Sequence, residues 1–99
     1  MKKSNIAITK TAAELADALG LTPADGLEIE IRSELNDKII EVVKKKGLTH
    51  IQVAKLANAS RTRITALLNR NTFEISTDLM LRVLGSLGIS AKLKFRNAA

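Results

Sequence analysis

Apolar residues fall at helical spacing through most of this chain, and the polar residues between them mark where helices begin and end. Leu27, Ile31, Leu35, Ile39, Val42 and Val43 recur at three- and four-residue intervals, the period of one helical face. Thr22-Pro23 starts that helix, because proline at the first helical position lacks only an N–H that would go unbonded anyway. Asp25 suits the positive end of the backbone dipole, and Lys44-Lys45-Lys46 before Gly47 suits the negative end. Leu27-Glu-Ile-Glu-Ile31 also alternates with period two, as a strand would. The same stripe runs on through Leu35 and Ile39 without a turn, which favours helix.

Four further helices and one strand follow from the same signals. Thr11-Ala-Ala-Glu14 is a capping box, in which side chain and backbone bond reciprocally across three residues; a helix from about 12 to 19 follows, stopped by Gly20. Thr49-His50-Ile51-Gln52 is a second capping box and opens a helix to about Ala57. Asn58, a residue that tolerates positive φ, makes the break, and Ser60 caps a segment reaching about Asn69. Residues 70–74 read as a loop. Ser76 caps a helix bearing Leu79, Met80, Val83, Leu84 and Leu87, ended by Gly88. Residues 90–96 alternate apolar and polar and read as one β-strand. The expected fold is all-α: about five helices with a short C-terminal β-strand, residues 1–10 being a flexible N-terminal arm and 11–99 a single domain. A lone strand lacks a partner for its backbone groups. Pairing with a second copy would supply one symmetrically, and a frayed tail is the equal alternative.

Composition narrows the chemistry. The only aromatics are Phe73 and Phe95, so aliphatic side chains fill the core, and the stacking platforms that bind single-stranded nucleic acid are lacking. With no cysteine there is no disulfide, thiolate zinc site or cysteine nucleophile, which fits a reducing cytoplasm. The basic N-terminus is not followed by an apolar run long enough for a signal or a span, so a soluble, cytoplasmic (nucleoid-associated) protein is expected, with no membrane partner. No enzyme is indicated: the one histidine, His50, has no acid spaced with it on a helical face, and no phosphate-binding glycine loop occurs. No cofactor and no metal are expected.

Charge placement points to a polyanion. Residues 21–37 carry a net −4 and residues 38–72 a net +7, within a chain total of +6. The basic part contains Thr49–Asn69, a short helix, a tight turn and a second helix: the helix-turn-helix arrangement. Ala54 suits the close crossing of the two helices, Asn58 the turn, and Ile64 and Leu67 the inner face, directed at Val53 and Leu56. What remains faces outward. Arg61, Thr62, Arg63 and Thr65 are the base-reading candidates, since arginine donates two hydrogen bonds to guanine O6 and N7, and threonine offers a methyl and a hydroxyl. Two arginines in a first turn oppose the helix dipole, a placement that stability alone does not explain. Thr49, His50, Ser60, Asn69, Arg70 and Asn71 are backbone candidates, the first two at a helix N-terminus, where free N–H groups favour phosphate. Lys45 and Lys46 are weaker ones, because a basic last turn serves the helix itself.

Thr49–Asn69, THIQVAKLANASRTRITALLN, resembles the helix-turn-helix of the XRE (lambda repressor/Cro-like) family. Residues 14–96 resemble its HigA-like, antitoxin-type branch, through Leu15-Ala-Asp-Ala-Leu-Gly-Leu-Thr-Pro-Ala-Asp25 and the tail Ala91-Lys-Leu-Lys-Phe95. The chain departs from the family pattern at His50, where glutamine is usual, and at Asn58, where glycine is usual. The resemblance implies a lambda-repressor-like bundle and an autoregulating repressor that binds operator DNA as a homodimer. It implies, as an alternative, an antitoxin that neutralises a RelE-like toxin, a role the acidic stretch 21–37 would serve.

Overall fold

The computed structural model describes Glu14, residues 18–20 and residues 22–97. Among the described residues there are four helices and no strand: α1 (Pro23–Lys46), α2 (His50–Ala57), α3 (Arg61–Leu68) and α4 (Thr77–Ser86). The N-terminal arm and nearly all of the 12–19 helix lie outside the described residues, although Gly20 has the left-handed φ of 77° expected of a helix stop.

Local chemistry sets each helix start. Thr22 caps α1 with both bonds of a capping box: its hydroxyl accepts from the Asp25 N–H, and its own N–H donates to the Asp25 carboxylate at 3.0 Å. Those bonds, the backbone one above all, hold the Asp25 carboxyl below its ordinary pKa. Thr49 and Gln52 form the second box. Ser60 and Ser76 cap α3 and α4 by accepting from the N–H groups of Arg63 and Leu79. Residues 27–31 are helical, so the period-two pattern there yields to the longer stripe.

The four helices share one ending. In each, an N–H two or three residues past the helix end bonds back to the carbonyl five positions earlier, as in Leu48 to Val43, Ala59 to Ala54, Asn71 to Ala66 and Ile89 to Leu84. This is the Schellman motif, which needs a left-handed residue just before that N–H. Gly47, Asn58, Arg70 and Gly88 take the position, with φ of 64°, 53°, 61° and 81°. Three of the four following residues, Leu48, Ala59 and Ile89, pack on the core. The fourth, Asn71, is polar and exposed.

The core is built from Leu35, Ile39, Val42 and Val43 of α1, Val53, Ala54 and Ala57 of α2, Ile64 and Leu67 of α3, Ile75, and the apolar face of α4. The core side chains of α1 all come from the C-terminal half of the helix. Its 24 residues make a rod of about 36 Å, longer than the short helices beside it, so Leu27 and Ile31 stay exposed. Leu56 is a correction: it is 54% exposed, and Ala57, at 2%, takes the inner position. At 100° per residue, 53, 54 and 57 share a face, whereas 56 falls on its flank.

The C-terminal strand is a second correction. Residues 90–97 are exposed and form no ladder, because the described residues contain no second strand to pair with. Arg96 nonetheless reaches Glu30 of α1 at 3.3 Å.

Candidate nucleic-acid interface

α2 and α3 are joined by Asn58, Ala59 and Ser60, with Ala54 buried at their crossing. Ile64 and Leu67 are fully buried on the inner face of α3, which leaves Arg61, Thr62 and Arg63 exposed in its first turn. A helix with its side chains is about 10–12 Å across, which the major groove, about 12 Å wide, admits.

The six arginines of the chain divide into two groups. Arg32 donates to the Thr72 carbonyl at 2.7 Å and the Thr77 hydroxyl at 3.0 Å. Arg82 donates to the Ala57 and Asn58 carbonyls, Arg70 pairs with Asp37, and Arg96 pairs with Glu30. Arg61 and Arg63 have no side-chain partner among the described residues. No acid stands in the first turn of α3 to offset them. Two guanidinium groups in one first turn, with no partner among the described residues and at the positive end of a helix, make a site that attracts anions.

The remaining sequence-predicted residues are distributed as follows. Nδ1 of His50 and Oγ1 of Thr65 share a 2.9 Å hydrogen bond, tying the start of α2 to the middle of α3 and leaving both side chains half-buried. Thr49 and Ser60 are exposed, but their hydroxyls already accept from backbone N–H groups. Asn69 ends α3, its N–H donating to the Thr65 and Ala66 carbonyls. Asn71 lies across a shallow, open cleft from Thr62 and Arg63. Lys46 donates to the Leu87 carbonyl at 2.9 Å, which gives it a structural partner, while Lys45 is exposed.

Arg70 is a distinctive case. It occupies a left-handed position that costs a residue with a Cβ about 1–2 kcal/mol, and its ion pair with Asp37 is 60% exposed on both sides, worth about 0.2–1 kcal/mol. Arg70→Gly is therefore expected to stabilise the fold by about 0.5–1 kcal/mol. If the side chain serves DNA, the same change lowers affinity for all duplexes and reduces the salt slope by about one. Thermal melting and a two-salt titration read the two signs separately.

Sequence reasoning missed the residues that position this surface. Asn36, buried on α1, donates Nδ2 to the Leu67 carbonyl at 2.9 Å and so fixes the end of α3. Arg82 of α4 grips the turn between α2 and α3. Arg32 holds the loop after α3. Asn36 carries a legible signal, a polar residue on a buried stripe. Arg32 and Arg82 carry none, since each reaches partners at least 24 positions away.

A buried helix pair with an outward, unpaired basic first turn is the architecture of a DNA-binding helix-turn-helix protein. A family profile described as a helix-turn-helix domain matches residues 15–96, and the chain belongs to that family. Neither curated proteins nor solved structures gave a match to it. Among the described residues no helix is long and apolar enough to cross a membrane.

Proposed function

We propose that the chain is a sequence-specific transcriptional repressor, autoregulatory and non-enzymatic, that binds operator DNA as a homodimer. The observation that carries the reading is that Arg61 and Arg63, the only two arginines without a partner among the described residues, both stand in the first turn of α3. In this reading α3 lies in the major groove, Arg61 reads guanine, and Thr62 and Arg63 read beside it. The N-terminus of α2, together with Arg70 and Asn71, meets the backbone. Two copies would span half-sites about 34 Å apart.

The test is an anisotropy titration against DNA from upstream of the gene, with scrambled competitor and at two salt concentrations. Tight binding that depends on a palindrome and weakens steeply with salt is expected. Weak binding indifferent to sequence would count against it.

The tail supports dimerisation. Leu93 and Phe95 are 72% and 88% exposed along a segment with no ladder of its own. Pairing two tails across a two-fold axis would satisfy their backbones and cover those side chains. Deleting residues 90–99 is expected to yield monomer in sedimentation. A persistent dimer would place the interface elsewhere.

The antitoxin alternative draws less support from the acidic stretch, part of whose charge is engaged within the chain. Glu28, Glu30 and Asp37 already bond Thr77, Arg96 and Arg70 within the chain.

A further inference from the structure

We propose that Phe73 is an additional reader of the operator, packing its ring on the 5-methyl group of a thymine at the edge of the half-site contacted by α3. The proposal rests on the DNA-binding reading above and adds to it a residue outside the helix-turn-helix.

Phe73 is 91% exposed, yet the backbone beneath it is firmly held. Phe73 and Glu74 are the central residues of a turn closed by the Ile75 N–H on the Thr72 carbonyl at 3.0 Å. The same carbonyl accepts from Arg32 at 2.7 Å. Ile75 is anchored in the core on one side, and on the other the Asn71 N–H bonds the Ala66 carbonyl at 2.8 Å. The ring is thus kept in water by a braced turn. Water contact is unfavourable for an apolar ring, and a small polar residue would suit the turn itself better.

The ring lines the shallow cleft whose other wall is Thr62, Arg63 and Ala66 of α3. A duplex that meets Thr62 and Arg63 must cover this cleft. Its chemistry selects which part of the duplex enters. Glu74 also lines it; its carboxylate repels a phosphate but accepts from the N4 amino group of cytosine. The apolar walls, Ala66 and Phe73, match the one apolar feature of the major-groove edge, the thymine methyl. Arg63, Ser60 and Asn71, which also line the cleft, can bond a phosphate, but only a base edge suits Glu74, Ala66 and Phe73 together.

The experiment uses operator duplexes in which each thymine in turn is replaced by deoxyuridine, removing only the methyl. The wild-type protein is expected to lose about fourfold in affinity, the equivalent of one buried methyl, at one thymine per half-site. Phe73→Ala is expected to bind the thymine and deoxyuridine duplexes at that position equally, with an unchanged melting temperature. Phe73→Trp would be the only tryptophan of the chain, and its emission is expected to shift on adding operator but not on concentrating the protein alone. A uniform loss for Phe73→Ala on every duplex, with wild-type methyl dependence retained, overturns the proposal. So does a tryptophan shift on self-association without DNA, which would mark a protein-binding surface. Wild-type protein that binds operator and scrambled duplex alike overturns the parent reading as well, and that result is visible before any variant is made.

Discussion

Replacing Arg61 and Arg63 together by alanine is expected to lower discrimination between operator and scrambled DNA by roughly 30-fold or more while leaving thermal stability unchanged or slightly raised. A bidentate arginine–guanine contact carries about 1–3 kcal/mol of discrimination. A two-fold dimer makes each contact twice, so even the lower figure, about 2 kcal/mol, is a loss of roughly 30-fold. The stability expectation comes from the same two residues. They are exposed, have no partner among the described residues, and sit where the helix dipole disfavours positive charge, so their removal takes away nothing that holds the fold. Anisotropy on specific and scrambled duplexes, beside a melting curve, checks both halves. Equal losses on the two duplexes would reduce the pair to phosphate contacts; a large fall in melting temperature would make them structural.

Ile64→Ala is expected to do the reverse. Ile64 lies one residue beyond Arg63, about 100° further round α3, and is fully buried. Truncating such a side chain costs about 2–5 kcal/mol, because the transfer term is joined by a cavity that close-packed neighbours do not fill. Total stability for a domain of this size is about 5–15 kcal/mol. At about 4–8 °C per kcal/mol, the melting temperature should fall by roughly 10 °C or more. Binding measured well below the new midpoint should keep its preference for operator, since the outward residues are untouched. A variant that melts normally would contradict the packing described for α3.

The contrast between adjacent residues explains what was legible in the sequence. Caps and stops depend on residues three to five apart, so Thr22, Thr49, Ser60 and Ser76, and the left-handed Asn58, announce themselves locally. The outward face of α3 was legible for a related reason: once Ile64 and Leu67 are assigned inward, helical geometry leaves Arg61, Thr62 and Arg63 outside. Leu56 was misassigned because two positions one residue apart, 56 and 57, compete for one face, and alanine gives a weaker hydrophobic signal than leucine although it fits the close crossing better. Arg70 looked like a free loop cation because neither its Schellman position nor its pairing with Asp37, 33 positions away, leaves a trace in local pattern. The tail reads as a strand because its alternation is real. Whether a strand forms depends on a partner that the described chain does not contain.

The most direct test of the central claim, that the first turn of α3 reads base edges in the major groove, is to replace guanines of the operator one at a time by 7-deazaguanine. This change removes the N7 acceptor and leaves Watson–Crick pairing intact. The wild-type protein should lose affinity at one or two guanines in each half-site, and the Arg61→Ala/Arg63→Ala variant should be insensitive at those positions. Wild-type binding unaffected by deazaguanine at every position would contradict the account and would move α3 out of the groove.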